Sequence, residues 1–264
     1  MNQKPVVDVG ANCGLFTSVA ACEYSRHGDP SHVIAIEPNP ACVEALRMNV
    51  DRNNQHSAVS SLLRAGDCDA ACLGKVSVVE AACGMKGDGP ATILTVYDSV
   101  SGWGSTKPDE DEVRRKMRDY VDMLLEGDSA GAAGGSLGAA GKLIAGILPR
   151  AVVVQLFSQF WLSRWLGNKR EVRVPILTLS EALRIVGEGD GHPIDVVKVD
   201  VERAELDVLR GIEDRDWERI EQLVVEVHDE NIDGAVRLLD GRGFVTQLDR
   251  NDAGLRVLFA HRRV

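Results

Sequence analysis

The chain has 264 residues, of which 44% are apolar and 27% are charged. These proportions are those of an ordinary soluble globular protein, which excludes wholesale disorder and a fibrous structure. The formal net charge of −10 argues against general nucleic-acid binding, because neutralising phosphates requires a basic surface.

The N-terminus and the cysteines indicate a cytoplasmic protein. An apolar strand begins by Val6 with no longer apolar run before it, so nothing there is typical of a signal peptide. All six cysteines lie in the first third of the chain. Cys68 and Cys72 come closest to a metal-binding pair, but no second pair of ligands follows at a suitable interval. We therefore expect reduced thiols and no metal site.

The N-terminal part of the chain alternates between strands and helices. A buried strand from Pro5 runs into a glycine-containing turn that ends at Gly14, and a helix is predicted over Leu15–Tyr24. A second strand, His32–Ile36, leads into a helix predicted over Ala41–Arg52. This alternation is typical of a parallel sheet covered by helices.

The middle of the chain departs from this alternation. A third strand is predicted over Val76–Ala82 and a further strand over Ala91–Tyr97. Residues 101–170 then form an insertion. Within it, 108–126 are charge-rich and favour a helix, whereas 127–146 are mostly Gly, Ala and Ser, the composition of a flexible connector.

An apolar stretch, residues 143–166, lies near the end of the insertion. It contains Trp161 and Trp165 but is interrupted by Pro149 and Arg150. Three interpretations remain open: a lid packing over a cleft, a peripheral membrane contact flanked by basic residues, and a membrane span. A proline and an arginine near the middle of the stretch make a span costly.

Regular alternation returns after the insertion. The remaining predicted strands are Val172–Leu177, Ile194–Asp200, Gln222–His228, Phe244–Leu248 and Leu255–Ala260; the helices are one capped by Thr178 or Ser180 and ending at Ile185, then Ala204–Arg210 and Ile232–Leu239. The last two strands form a hairpin, so one of them must run antiparallel to the rest. We expect a single α/β domain over 1–264, with a mostly parallel sheet and helices on both faces.

Acidic residues follow the strands that we expect to be parallel. Right-handed crossovers bring the loops after such strands to one edge of the sheet, where ligands bind. The residues at these strand ends are Asp8 with Gly10 and Gly14, then Glu37, the turn of Ala82, Cys83 and Gly84, Asp200 with Glu202, and Glu226 with His228. The predicted site is therefore strongly acidic.

This acidity discriminates between two ligands that contain adenosine. A dinucleotide has a pyrophosphate that carboxylates repel and that usually binds Gly-x-Gly-x-x-Gly, whereas this turn has Gly10 and Gly14 with three residues between them. S-adenosyl-L-methionine has no phosphate and carries a positive sulfonium and ammonium, so acidic strand ends favour it. Glu37 would serve either ligand, because a carboxylate there can accept hydrogen bonds from ribose hydroxyls; it could also be a solvated acid in a turn.

Six stretches of the chain share a pattern with a known family. They are Val7–Thr17, Ile34–Pro40, Val79–Gly84, Val174–Leu179, Val197–Gly211 and Val224–His228. In this order and combination they resemble the FkbM family of class I methyltransferases. The resemblance implies a Rossmann-like, seven-stranded methyltransferase sheet whose last strand is antiparallel, and transfer of a methyl group from S-adenosyl-L-methionine, usually to a hydroxyl.

The resemblance also implies a role for individual residues. Against the methionine part of the cofactor it places Asp8, Gly10, Asn12 and Gly14; Glu37 would bind the ribose, and Ala82 and Cys83 would lie beside the adenine. Asp200 and Glu202 would border the methyl-transfer position, with Glu226 and His228 across the cleft.

Methyl transfer requires alignment of the acceptor and a group that takes up its proton, and Asp200, Glu226 and His228 are the candidates for that group. A histidine titrates closest to neutrality, yet a histidine at a strand end can also be purely structural. The side chain of Lys198 either contacts the substrate or only extends so that its ammonium group reaches the end of the strand. Asp200, Glu202 and His228 could together hold a divalent metal, but we expect none.

Two positions depart from the family pattern. Arg203 stands where glycine is usual, and Met85 stands where an acid is usual. These departures leave a catalytically silent binding or scaffold protein as the alternative, with a nicotinamide-dependent oxidoreductase third. For a methyltransferase the expected partner is a small-molecule, sugar or lipid-linked hydroxyl compound, with no role for nucleic acid.

Overall fold

A computed structural model describes residues 4–26, 32–55, 75–97, 104–111, 169–189, 191–250 and 256–263, together with 113–115, 118, 149, 151–152, 154–156 and 158–160. The predicted connector 127–146 and most of the apolar stretch 143–166 lie outside these residues.

The described strands form two sheets. They are β1 (Val6–Val9), β2 (Val33–Ile36), β3 (Val76–Val79), β4 (Ala82–Cys83), β5 (Ala91–Tyr97), β6 (Lys169–Leu177), β7 (Ile194–Val199), β8 (Ile220–Glu226), β9 (Phe244–Arg250) and β10 (Arg256–Arg262). The larger sheet has seven strands in the order β3-β2-β1-β7-β8-β10-β9. Its first five strands in this order are parallel, and β10 is antiparallel to both β8 and β9. The predicted mostly parallel sheet with an antiparallel last strand is therefore confirmed.

The second sheet corrects the prediction for the third strand. The sequence predicts one strand over Val76–Ala82, but β3 ends at Val79 in the large sheet and β4 belongs to a three-stranded sheet of order β4-β6-β5. A tight turn separates them, in which the amide of Ala81 donates to the carbonyl of Val79. The chain thus changes sheets within the stretch that is predicted as one strand.

Helices cover both faces of the large sheet. Those described are α1 (Leu15–Arg26), α2 (Pro40–Gln55), α3 (Leu179–Ile185), α4 (Glu205–Arg210), α5 (Asp214–Trp217) and α6 (Asp229–Gly241). On one face Ala20 and Ala21 of α1 pack on Val6 and Val33. The main core lies on the other face, where α3, α4 and α6 pack on β1, β2, β7 and β8. Successive residues of β1 point to opposite faces, so Asp8 points toward α1.

The strand order fixes where a ligand can bind. β1 lies between β2 and β7, so the chain leaves β1 toward one side of the sheet and later returns on its other side. Ligands of open α/β sheets bind at such a switch point, outside the carboxyl ends of the strands. The turn after β1 and the loop after β7 therefore form the centre of the candidate site.

The chain divides into two compact units. One comprises Met1–Leu94, Gly104–Lys107 and Glu171–Val264, and the other comprises Thr95–Trp103 and Pro108–Arg170. In the second unit the described positions between 151 and 160 are helical. Among the described residues, no helix has the length and apolar character needed to cross a membrane.

Candidate active site

Glycines shape the turn that follows β1. Gly10 and Gly14 have φ angles of +79° and +84°, in the left-handed region that disfavours other residues. A Cβ atom at Gly10 would lie 1.7 Å from the carbonyl oxygen of Asp200, and one at Gly14 would lie 2.2 Å from Leu46 Cδ1. Glycine therefore lets the turn pack directly against the end of β7 and against α2.

The backbone amides of this turn are largely used within the protein. Gly10 and Ala11 donate to the carbonyl of Ile36, Asn12 donates to Glu37, and Gly14 donates to the carbonyl of Ala11. A pyrophosphate needs several such amides directed at it. The side-chain oxygen of Asn12, in contrast, is buried and has no hydrogen-bond donor among the described residues. Among the described residues, the turn therefore has one side-chain acceptor without a donor, whereas four of its backbone amides already donate hydrogen bonds within the protein.

Glu37 lies at the end of β2 with only 7% of its surface exposed. Its carboxylate accepts hydrogen bonds of 2.8 Å from the amides of Asn12 and Asn39, one on each oxygen. Burial raises the pKa of Glu37, and the two amides offset that effect only in part. Each oxygen keeps a second lone pair, so the carboxylate can accept further hydrogen bonds from a ligand.

Asp8 lies inside the sheet, on β1. Its side chain is fully buried, and its oxygens accept from Thr17 Oγ1 at 2.6 Å and from Lys198 Nζ at 3.1 Å. A buried carboxylate with these partners does not present itself to the methionine part of a cofactor. Asp8 holds the ammonium group of Lys198 in position.

Lys198 connects the strand ends. Its ammonium group lies 3.1 Å from Asp8 Oδ1, 3.4 Å from Asp200 Oδ2 and 3.4 Å from the carbonyl oxygen of Gly10. Burial by itself would lower the pKa of Lys198, but Asp8 and Asp200 outweigh burial and raise it. Lys198 is therefore a cation that partly neutralises the acidic edge. Against Asp8, Glu37 and Asp200 it leaves an excess of negative charge.

Asp200 follows β7 and is the most open carboxylate of this group, with 35% of its side chain exposed. Burial raises its pKa above the ordinary value; Lys198 opposes this effect, whereas Glu202 adds to it. A cationic ligand beside Asp200 would favour the ionised carboxylate. The loop after β7 therefore offers a positive group a favourable position next to the glycine turn.

The loop after Asp200 has two residues in the left-handed region, Glu202 with φ +47° and Arg203 with φ +80°. It is fixed by hydrogen bonds from Ser105 Oγ to the carbonyl of Glu202 and from the Arg203 amide to Glu205. The guanidinium of Arg203 pairs with Glu230 at 2.7 Å. Arg203, which stands where glycine is usual in the family, thus has a left-handed backbone.

His228 lies just after β8 and contacts two carboxylates. Its Nδ1 is 2.8 Å from Glu205 Oε1, and its Nε2 is 3.4 Å from Glu202 Oε2. Glu205 is fully buried at the start of α4. The sequence predicts His228 and Glu202 as site residues but not Glu205. The only signal for Glu205 is an acid in the first turn of a helix, which is common at helix N-termini.

The remaining predicted site residues are placed less centrally. Glu226 ends β8, one residue beyond the Val199–Val225 pair, and so lies beside the end of β7. Ala82 and Cys83 are buried in β4 instead of forming a turn, because they pair with Ile176 and Leu177 of β6. Burial raises the pKa of Cys83 to about 12, so its thiol stays protonated.

The structure thus brings two groups of predicted residues together by direct contact. The first contains Asp8, Gly10, Asn12, Glu37, Lys198 and Asp200; the second contains Glu202 and His228, which are in direct contact, with Glu205 on the other ring nitrogen of His228. The charge of Glu202 acts on Asp200, which couples the two groups. In the described part of the chain, no three His, Cys, Asp or Glu side chains are grouped to hold a metal ion.

Three named proteins are similar to this chain over most of its length. Methyltransferase 1 of Beauveria bassiana is 28% identical over 251 residues, which are 94% of this chain and 74% of that protein. Methyltransferase sdnD of Sordaria araneosa is 26% identical over 262 residues, covering 93% of this chain and 75% of sdnD. The 31-O-demethyl-FK506 methyltransferase FkbM of Streptomyces tacrolimicus is 28% identical over 250 residues, covering 93% and 74% respectively.

Among solved structures, the methyltransferase FkbM of Methylobacillus flagellatus KT aligns with a TM-score of 0.48 at 13% identity. The alignment covers 98% of this chain, which spans only 44% of the length of that solved chain. The model of the methyltransferase FkbM domain matches residues 8–246, from the acid of β1 into β9. The chain belongs to the FkbM family of methyltransferases.

Proposed function

We propose that the chain transfers a methyl group from S-adenosyl-L-methionine to a hydroxyl of a small-molecule, sugar or lipid-linked acceptor. The observation that carries the proposal is the excess of carboxylates at the switch point, where Lys198 is in contact with both Asp8 and Asp200. A ligand with a positive sulfur and a positive ammonium reduces that excess, whereas a pyrophosphate would add to it.

The residues at the site fit this cofactor. The Gly10–Gly14 turn, which includes Asn12, would lie against the methionine part of the cofactor, and Glu37 would accept from its ribose hydroxyls. Ala82 and Cys83 would lie beside the adenine through their backbone, since both side chains are buried. When bound, the cofactor supplies a methyl group on a positively charged sulfur.

The protein itself has to align the acceptor and take up its proton. Holding the reacting atoms in line converts an encounter in solution into a reaction within one complex. We assign the acceptor side of the site to Lys198 and Glu202, and the proton-accepting side to Asp200, Glu226 and His228. Of these, His228 has the side chain that ordinarily titrates closest to neutral pH.

A hydroxyl acceptor is supported by the name of one relative. The Streptomyces protein is named as a methyltransferase of 31-O-demethyl-FK506, which indicates methylation at an oxygen of that compound. An acceptor attached to a lipid is supported by the second unit. Its residues 129–170 include no Asp or Glu and five Lys or Arg, and Val152, Leu156 and Phe160 are 40%, 53% and 63% exposed on successive helical turns.

The test is product formation from a methyl-labelled cofactor. Purified protein is incubated with S-adenosyl-L-methionine bearing a deuterated methyl group and with hydroxyl-containing fractions of cell extract, and products are sought by mass spectrometry. We expect a labelled methyl ether with the wild-type protein and less of it with the Asp200→Asn variant, which should bind the cofactor more weakly. If the wild-type protein binds the cofactor and yet labels no fraction, the proposed reaction is wrong.

A further inference from the structure

The imidazole of His228 is held between two carboxylates of different exposure. Nδ1 faces Glu205 at 2.8 Å, and Glu205 is fully buried, whereas Nε2 faces Glu202 at 3.4 Å, on a side chain that is 17% exposed. The imidazole therefore has one ring nitrogen anchored in the interior, whereas the other faces Glu202 in the loop after Asp200.

The partners of Glu205 decide which nitrogen carries the proton. Its Oε1 also accepts from the amide of Arg203 at 2.6 Å, and its Oε2 accepts from Asn231 Nδ2 at 2.6 Å. A carboxylate surrounded by donors acts as an acceptor, so Nδ1 of His228 must be the donor in their contact. In neutral His228 the lone pair then resides on Nε2.

We propose that Nε2 of His228 accepts the proton of the acceptor hydroxyl and that Glu205 is the positioning residue that fixes His228 for this step. The inference rests on the proposed methyl transfer and assigns roles within the same site. Glu205 is not among the residues that the sequence indicates, and its action is indirect, through His228.

The hydroxyl oxygen forms its bond to the methyl carbon while the bond between that carbon and sulfur breaks, and sulfur keeps the electron pair. The hydroxyl proton passes to Nε2. The resulting imidazolium lies between the carboxylates of Glu205 and Glu202, which stabilise its positive charge.

Glu205 also connects His228, the proposed proton acceptor, to the loop that begins at Asp200. The same carboxylate that binds His228 holds the amide of Arg203, directly after the left-handed Glu202. Asn231 binds both Glu205 and the carbonyl of Arg203. His228 and the loop that begins at Asp200 are therefore fixed by one group, and a change in Glu205 would move both.

Several charged groups surround His228 and Glu205 and affect the titration of His228. Glu202 and Glu205 contact the imidazole directly; Asp200 is coupled to Glu202; Arg203 pairs with Glu230, and Arg256 pairs with Asp229 at the start of α6. Removal of a carboxylate next to the imidazole should make His228 lose its proton at lower pH, because the imidazolium loses part of its stabilisation.

Nitrogen NMR of histidine tests the proposal without a known acceptor. The full chain is labelled with ¹⁵N at its histidines, and the His228 signals are assigned by their loss in His228→Asn. We expect the neutral form of His228 to be protonated at Nδ1, with Nε2 as the nitrogen that titrates. Protonation of the neutral form at Nε2 would overturn the proposal.

Two ligands and two variants sharpen the test. S-adenosyl-L-methionine should shift the His228 midpoint to lower pH more than S-adenosylhomocysteine does, because only the former has a positive sulfur. Glu205→Gln and the less buried Glu202→Gln should each lower the midpoint by about one pH unit. His32, which contacts Glu188 and Ser77 near the opposite ends of the strands, is the internal control and should not respond.

Calorimetry with the same ligands distinguishes a failure of the proposed function from a failure of the proton-acceptor assignment. If S-adenosyl-L-methionine does not bind, the proposed function fails, whatever the state of His228. If it binds and the His228 midpoint is unchanged by the sulfonium and by both variants, the proton-acceptor assignment fails while the proposed function stands.

Discussion

Lys198 and Asp8 are paired neighbours on β7 and β1, and their side chains form an ion pair of 3.1 Å. All four residues of β1 are buried, and the Asp8 side chain has no exposed surface. An ionised carboxylate in such a position requires a partner, since taking a charge out of water is unfavourable. The pair thus makes an acid tolerable in the central strand and sets the charge of the adjacent site.

Replacing Lys198 by Met should strongly destabilise the protein, because the buried Asp8 loses its counter-ion. We expect a loss of about 3 kcal/mol in the free energy of unfolding, measured by urea denaturation. The double variant Asp8→Asn with Lys198→Met should recover a substantial part of that loss, since no buried charge is left unpaired. Equal destabilisation of the single and double variants would show that the ion pair is not the cause.

Local patterns were sufficient to predict one half of the site. The glycine turn, Glu37 and Asp200 each follow a short buried strand, and the rule that parallel strands end at one edge brings them together. The contacts of Lys198 could not be predicted, because they depend on the register between β1 and β7. Sequence alone left open whether Lys198 meets the substrate or only extends to the end of its strand.

Local sequence patterns could predict neither the contact of Glu205 with His228 nor the division of the third strand, and the reasons are related. An acid in the first turn of a helix is common, and nothing in the sequence indicates that this one is buried against a histidine after the next strand. Likewise, the sequence pattern predicts a single strand over Val76–Ala82. Its break at Ala81 depends on pairing with β6, which is distant in the sequence.

The raised pKa values of Asp200 and Glu37 imply that cofactor binding depends on pH. The folded pKa of each acid lies above its unfolded value, so their contribution to stability is present below the unfolded pKa and is lost as pH rises through the folded pKa. A bound cation favours the ionised forms, so binding should release protons.

We therefore expect affinity for S-adenosyl-L-methionine to increase with pH over the acidic range above about 4, the ordinary pKa of a carboxylic acid, and then to level off. Calorimetry in buffers with different ionisation enthalpies measures the released protons directly. The Asp200→Asn variant is the control and should bind more weakly with a flatter pH dependence. Proton uptake on binding would have the opposite sign and would refute this electrostatic explanation.

Gly10→Ala should be far more damaging than substitution of an ordinary left-handed glycine. Its new methyl group would meet the Asp200 carbonyl, whereas Gly187 has a similar φ of +81° and nothing within 4 Å of an added Cβ. We expect Gly187→Ala to lower the free energy of unfolding by about 1 kcal/mol. Gly10→Ala should lower it by roughly 3 kcal/mol or more and abolish cofactor binding. If thermal denaturation showed a similar loss of stability in the Gly10→Ala and Gly187→Ala variants, the contact with Asp200 would be unimportant.

Two substitutions of Arg203 separate the effect of backbone strain on stability from the effect of its ion pair. Arg203→Ala removes the pair with Glu230 but keeps a side chain at φ +80°, whereas Arg203→Gly removes both. The glycine variant should be more stable than the alanine variant by about 1 kcal/mol, the usual penalty for a left-handed residue other than glycine. A glycine variant less stable than the alanine variant would indicate that the loop carries no such strain.

Titration calorimetry of the whole chain with S-adenosyl-L-methionine, compared with a reduced nicotinamide dinucleotide, tests most directly whether the acidic edge binds a cationic sulfur compound. We expect saturable binding of S-adenosyl-L-methionine, weakened about tenfold or more by Glu37→Gln and by Asp200→Asn, a loss of about 1.4 kcal/mol or more in binding free energy. The dinucleotide should give no heat of binding. Binding of the dinucleotide, or a sulfonium affinity unchanged in both variants, would contradict the proposed role of these carboxylates.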